Sequence, residues 1–395
     1  MIPRTRPNFD AGSLLSALRH GREAGRACAA VETEVSRRLE GQHVQLAPSG
    51  RGALYLLLHA LPPGRVCVPG YTCSAVAEAA ELAGRDVMHL EHRDGRINLA
   101  ATDIDGRLLP GDILILTHQY GYPAMDTVAI LESATAQGAL VVEDIAAAFA
   151  GTLGDRPLGS FGIASFGSFD VSKLVHAPLK GGFVATSDPE LSECIRAQAQ
   201  RMFQPMSLSR KLALGAQALL LCLLTRTRLY RVFHWLNFSL RGRRTAEDGR
   251  LATRPNGYYL DRFAEWQAAV LLPQLRDLDR LLARRATVFA RLQAACTDHP
   301  AFGIEDRPPT FAGSTVRFPL YATSSKPELY ERLLSLGVDC GFSFSSLSSP
   351  PELERSWDIA DAVLNLPYYP ALTDRELDQL DQAMERIRMD YRHAA

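Results

Sequence analysis

Two side chains in this sequence are placed for cofactor chemistry. The apolar run Val141-Val142 ends in Glu143-Asp144. About thirty residues later, Ser168-Phe169-Asp170-Val171-Ser172-Lys173 forms a serine-containing turn ahead of Gly181-Gly182-Phe183-Val184. A strand-end carboxylate and a turn-borne amine at this separation suit pyridoxal phosphate. The Lys173 amine can form a Schiff base with the cofactor aldehyde and, once released, carry a proton. The Asp144 carboxylate can hold the pyridinium nitrogen protonated, so that the ring accepts electrons. A strand-end aspartate also caps helices; the downstream lysine is what favours the cofactor role. Glu143 points to the opposite side of its strand.

The cofactor phosphate needs donors. Residues 44–47 read as a strand, and Ser49-Gly50-Arg51-Gly52-Ala53 as the turn that opens an apolar helix over 54–61. Backbone N–H groups at a helix start hold phosphate oxygens, and glycine allows close approach. Ser168 adds a hydroxyl. Arg51 either contacts the phosphate through its charge or points elsewhere and leaves the backbone to do so. His118 ends a buried strand at the edge where α/β ligands sit. It is either close to cofactor or substrate, or a structural hydrogen-bonding group. Lys180 abuts the glycine pair and carries no catalytic role in this reading.

These residues need a scaffold that brings strand ends together. Strand-like runs fall at 66–68, 87–90, 113–117, 140–142, 163–166 and 183–186, with helical stretches at 74–82 and 128–136 between them. Such alternation predicts an α/β fold with a largely parallel sheet. Residues 10–40 read as helical, with Leu14, Leu15 and Leu18 on one face. A long helical pattern runs from about 265 toward 295. A strand over 316–321, a helix over 328–336 and a final helix from 374 complete a smaller α+β part. We expect a large domain over 1–275 and a small one over 276–395.

Composition narrows the function. The 395 residues are 47% hydrophobic and 22% charged, with a formal net charge of −1. No global field recruits nucleic acid. Seven cysteines without a C-x-x-C pair fit reduced thiols in a cytoplasm better than a disulfide framework or a zinc site, and no metal site is expected. No apolar run follows Met1-Ile2-Pro3-Arg4, so no signal peptide is read there.

Glu143-Asp144, Ser168-Phe169 with Lys173, and Gly181-Gly182 together resemble the DegT/DnrJ/EryC1/StrS aminotransferases. The resemblance extends along most of the chain. It includes Ser49-Gly50-Arg51-Gly52-Ala53-Leu54, Val68-Pro69-Gly70-Tyr71-Thr72 and His118-Gln119-Tyr120-Gly121-Tyr122-Pro123. It continues through Arg262, Gln267-Ala268-Ala269 and Leu366-Pro367-Tyr368-Tyr369-Pro370. It implies the fold-type I architecture of pyridoxal phosphate enzymes, a homodimer whose neighbouring chain lines the cofactor pocket, and an amino donor such as glutamate. The acceptor it implies is a keto-sugar, mostly nucleotide-linked. Arg262 becomes a substrate-proximal candidate. Tyr368 and Tyr369 read as packing residues.

Three positions depart from the family pattern. Cys73 stands where an aromatic usually stacks on the cofactor ring, so Tyr71 is expected to compensate. Ala147 stands where Gln or His is common near the cofactor hydroxyl, a place Gln119 or a water could fill. Leu260 stands where an Asn reaches the neighbouring subunit's phosphate. These departures leave open a non-sugar natural-product substrate, carrier-bound or not. A non-catalytic member of the fold is the other alternative, and Lys173 argues against it.

Residues 205–250 stand apart. A strongly apolar run over 212–224 precedes Arg226, Arg228, Arg231, Arg241, Arg243 and Arg244. We expect a helical insertion that buries Leu219, Leu220 and Leu223 beside the active site or the subunit boundary. The alternative is a docking surface for an acidic partner or a membrane.

Overall fold

A computed structural model describes the chain except for residues 21–25, 227–229, 233, 235–251, 314, 345–346 and 395. The apolar runs of the first half form a seven-stranded sheet. Its strands are β1 (His43–Ala47), β2 (Val66–Pro69), β3 (Val87–Leu90), β4 (Ile113–Thr117) and β5 (Leu140–Asp144). After two short strands, β6 (Thr152–Leu153) and β7 (Arg156–Pro157), come β8 (Ala164–Ser168) and β9 (Gly182–Thr186). The order is β1-β9-β8-β5-β4-β2-β3, and only β9 runs against its neighbours. Every residue of β4 and β9 is buried. That two-sided burial is why these strands read as continuous apolar runs rather than alternating ones.

Helices α1 (Ala11–His20), α2 (Ala27–Arg38), α3 (Gly50–Ala60), α4 (Ser74–Leu82), α5 (Ala101–Ile104), α6 (Thr127–Ala136), α7 (Pro189–Met202) and α8 (Leu208–Arg226) accompany the sheet. Leu54, Leu56 and Leu58 of α3 are fully buried in one core with Val66, Ile113 and Val142. Toward the C terminus, β10 (Phe302–Ile304), β12 (Phe318–Ala322) and β13 (Val363–Leu366) form an antiparallel sheet around Phe318, Leu320 and Val363. The short β11 (Phe311–Ala312) joins β6 and β7. Tyr368 and Tyr369 are buried in the C-terminal core, as packing residues would be.

Several expectations need correction. The region over 10–40 is helical as expected, over Ala11–His20 and Ala27–Arg38. Of its leucines Leu14 is buried, whereas Leu15 and Leu18 are 42% and 41% exposed. The helix expected from 265 to 295 is broken into Glu265–Arg276 and Leu278–Cys296, because Asp277 takes a non-helical conformation (φ −98°, ψ 18°). In the insertion, α8 is helical as expected and Leu219 is partly buried, but Leu220 and Leu223 are 54% and 49% exposed. The α8 residues that pack inward are Leu214, Ala218 and Cys222.

A carboxylate with no solvent exposure ties the sheet's C-terminal edge to the loop that leads into β8. Glu143 accepts backbone N–H bonds from Gly159 (2.8 Å), Phe161 (2.5 Å) and Gly162 (2.9 Å), and its Oε2 meets His118 Nε2 at 3.1 Å. Removing the acceptor leaves three buried donors and a buried imidazole unmatched. Glu143→Ala should therefore lower the unfolding free energy by about 3–5 kcal/mol. The check is a lower urea midpoint with little change in slope.

Candidate active site

The strand register sets the site. Thr117, Asp144 and Phe166 are aligned across β4, β5 and β8, and the chain leaves all three strands at the same edge. A cavity of about 240 Å3 opens there, beside the start of α3. Lys173 and Asp144 both border it. Lys173 sits on a tight turn in which its N–H reaches the Asp170 carbonyl (2.9 Å), while Ser172 N–H reaches the Asp170 side chain (3.0 Å).

Asp144 is buried, and its Oδ1 accepts a bond from Ala146 N–H (2.9 Å). Burial pushes its carboxyl above the usual carboxylate range. The Ala146 N–H and the charges of Lys173 and His118 pull the other way without prevailing. A cation beside it would favour its charged form, and a protonated pyridine nitrogen is such a group.

The anion cradle is built from glycines and a cap. Ser49 caps α3, accepting from Gly52 N–H (3.0 Å) and donating to the Tyr258 carbonyl (2.6 Å). The N–H groups of Gly50 and Arg51 belong to the first helical turn, which has no intrahelical acceptor for them. A Cβ on Gly50 would lie 2.9 Å from Ser168 Cβ, and one on Gly182 would lie 2.5 Å from the Ser49 carbonyl group. Both glycines are therefore required for the turn, β8 and β9 to close on each other. Ser168 Oγ accepts from Asp170 N–H (3.2 Å), which leaves its own O–H to donate.

Two ion pairs flank the cradle. The Arg51 guanidinium binds Glu78 (2.9 Å), a buried carboxylate that also takes the Tyr259 hydroxyl. Burial works against the Arg51 charge, but Glu78 outweighs it and raises the guanidinium pKa. The second pair is Lys180 with Asp170. The attraction of Asp170 outweighs burial and raises the Lys180 ammonium. Burial pushes the Asp170 carboxyl up, but Lys180 prevails and holds it well below the usual range.

Other expected residues divide. Cys73 and Ala147 border the cavity. Beside them, Thr72 Oγ1, Thr117 Oγ1 and Gln119 Nε2 are buried polar atoms without a partner among the described residues. Such orphaned groups suit a polar ligand. His118 also borders the cavity, but Nε2 faces Glu143 and Nδ1 accepts from Ala124 N–H (3.2 Å). Both ring nitrogens are engaged structurally. Tyr71 is not brought to the cavity. Its ring is fully buried and its hydroxyl meets that of Tyr120 at 2.5 Å. Arg262 is also elsewhere, donating to the Phe203 carbonyl (3.3 Å).

Sequence reasoning gave no site role to four residues here, Lys180, Asp170, Arg317 and Phe344. Lys180 and Asp170 were legible only as a pair, since neither carries a motif alone. Arg317 and Phe344 reach the cavity from the C-terminal part of the chain. Arg317 stands within the strand-like run over 316–321 and could have been noticed; Phe344 has no local signal. Its ring stacks on Tyr120, with centroids 5.8 Å apart and planes 8° from parallel.

Residues 10–385 match the DegT/DnrJ/EryC1/StrS aminotransferase family. The chain is 27% identical over 379 residues to dTDP-3-amino-3,4,6-trideoxy-alpha-D-glucose transaminase of Streptomyces venezuelae, covering 90% of this chain and 86% of the relative. It is 34% identical over 171 residues to UDP-N-acetyl-3-dehydro-alpha-D-glucosamine 3-aminotransferase of Acidithiobacillus ferrooxidans, covering 42% of this chain and 46% of that one. The fold matches the aminotransferase TlmJ from Streptoalloteichus hindustanus with a TM-score of 0.74 at 21% identity, covering 98% of each chain.

Proposed function

We propose that this chain, which belongs to the DegT/DnrJ/EryC1/StrS aminotransferase family, moves an amino group from an amino-acid donor, glutamate, to a nucleotide-linked keto-sugar. The observation that carries the reading is that Lys173, Asp144 and the start of α3 converge on one cavity. Two relatives named for aminotransfer on dTDP- and UDP-linked sugars support the acceptor class.

The residues fit pyridoxal phosphate, which when bound supplies an aldehyde and an electron-accepting ring. Asp144 would pair with the ring nitrogen and favour its protonated form. Lys173 would hold the cofactor through its aldehyde, and the Lys173 amine would take and return a proton at the reacting carbon. The N–H groups of Gly50 and Arg51 and the hydroxyl of Ser168 hold the phosphate. Cys73 and Ala147, which line the cavity, would lie beside the ring, and Gln119 Nε2 could donate to its hydroxyl. Phe344 and Tyr120 limit water access at the opening.

In the same reading the chain divides near residue 276 and works in the cytoplasm as a homodimer. Arg317 and Phe344 are the small part's contribution to the site. Leu260 packs against the core that holds α3, so cross-subunit contacts come from other residues.

Lys173→Ala should abolish turnover and covalent cofactor attachment. Borohydride reduction and peptide mapping of the native protein should place the pyridoxyl group on Lys173; a label on Lys180 would overturn the assignment. Asp144→Asn should keep the fold and lose roughly 10²–10³ in turnover, as for other electrostatic elements of active sites. Near-normal turnover in a folded, cofactor-loaded variant would refute that role. Light scattering should give twice the chain mass, and a fully active monomer would contradict the dimer.

A further inference from the structure

Asp170 and Lys180 take no part in the chemistry above, yet their ion pair lies against Lys173. Asp170 opens the turn that carries Lys173. Its carbonyl accepts from Lys173 N–H (2.9 Å), its Oδ1 accepts from Ser172 N–H (3.0 Å), and its Oδ2 is paired with Lys180 Nζ. All three residues border the cavity. The charge of Lys173 also acts on the Asp170 carboxylate, behind that of Lys180. Two cations thus stand beside one acid, and Lys180 is the one that holds it. The backbone brings Lys180 there without help from the ion pair. Gln267 Nε2 donates to the Lys180 carbonyl (2.9 Å), and Phe169 N–H donates to the Gly181 carbonyl (2.8 Å). Leu179, just before it, takes φ 68°, a left-handed conformation that a leucine seldom adopts. The Tyr258 ring, its centroid 5.8 Å from Nζ, is a second contact for the ammonium.

The remaining charged groups around Lys173 are engaged elsewhere or carry the same sign. Arg51 is bound to Glu78, and His118 to Glu143. His176, three residues on, accepts from Asn8 N–H (2.9 Å), and burial lowers its imidazolium to about 4, so it is neutral. Arg317 borders the cavity, close enough to Arg285 to oppose its charge. Asp144 also senses the Lys173 charge, but burial already disfavours its ionised form. Asp170 is therefore the acid that an unoccupied Lys173 ammonium would meet first. An amine condenses with an aldehyde through its lone pair. A C=N bond forms, and the aldehyde oxygen leaves as water with the two amine hydrogens. An ammonium has no lone pair, and a bare carboxylate beside it favours the ammonium. We propose that Lys180 is a positioning residue: it occupies the Asp170 carboxylate and so leaves the Lys173 amine open to an aldehyde. The inference rests on the function proposed above and adds to it a residue that acts through another.

The test is the pH dependence of covalent labelling at Lys173. The full chain, freed of cofactor, is mixed with pyridoxal phosphate over a pH series, reduced with borohydride at timed intervals and peptide-mapped. The native protein tests the functional reading: no label on Lys173 sinks that reading and this inference with it. Given native labelling, Lys180→Gln should raise the pH of half-maximal rate by about one unit, with labelling roughly tenfold slower below it. Asp170→Asn, which leaves the Lys180 charge unmatched, should move that pH downward, and it reads the same coupling if Lys180→Gln fails to fold. Asp170→Asn combined with Lys180→Gln should restore the native profile. Lys180→Arg, which keeps the pair, should leave the profile in place. A folded Lys180→Gln protein whose profile does not move overturns the inference and leaves the functional reading standing. So does a loss of label at every pH that the double substitution fails to repair, since the pair would then serve the fold alone.

Discussion

The site depends on the pleat of β5 at residues 143 and 144. Successive side chains on a strand face opposite ways, so two adjacent carboxylates serve two different sides. Glu143 is taken up by the backbone N–H groups of Gly159, Phe161 and Gly162 and by His118. It thereby fixes the loop that delivers β8, and with β8 the turn carrying Lys173. Asp144 is left facing the cavity with one backbone bond. A slip of one residue in register would exchange the two roles and turn the scaffold acid toward the cavity. The register is held by burial on both sides of β4 and β5.

Electrostatics at the phosphate end follow from pairing rather than from accumulated charge. Arg51 and Lys180 both border the cavity, yet each is matched by an acid, the buried Glu78 and the partly buried Asp170. Two unmatched cations there would repel each other and would be costly to bury without an anion. The pairs keep the cradle close to neutral before a phosphate arrives. Its affinity for an anion then rests on N–H groups fixed at the start of α3 and on the tight approach that Gly50 and Gly182 permit.

The sequence showed the parts of the site that are local and lost the parts that depend on folding. Strands β3 and β4 and helix α4 run over the residues expected of them. Burial on both sides makes the strands apolar throughout, and that pattern is visible in one dimension. Lys173, Asp144, Gly50 and Ser168 sit at strand ends and turns, where residue type and position coincide. Tyr71 was misplaced because a strand-end aromatic gives no sign of whether it turns to a ligand or inward; its hydroxyl found Tyr120. His118 carried the same ambiguity, and only Glu143 and the Ala124 N–H on its two nitrogens decide it. Phe344 is beyond local reasoning, since it arrives from a distant part of the chain. The break at Asp277 fell inside a helical pattern that apolar periodicity alone continues through.

The same limit explains α8. Its sequence is apolar on all sides, and an apolar helix reads as buried. The structure buries one side and leaves the other open, which only three-dimensional packing decides. The open face is nevertheless joined to the cradle by one residue. Arg210, at the start of α8, lies over the Tyr258 ring, 4.8 Å from its centroid, and Lys180 Nζ lies 5.8 Å from the same centroid. The Tyr258 carbonyl in turn accepts the hydroxyl of Ser49, the cap of α3. The segment that orients the basic helix is thus also the segment that sets the phosphate turn. The insertion is built into the support of the active site, and its uncovered leucines cannot be dismissed as a loosely attached appendage.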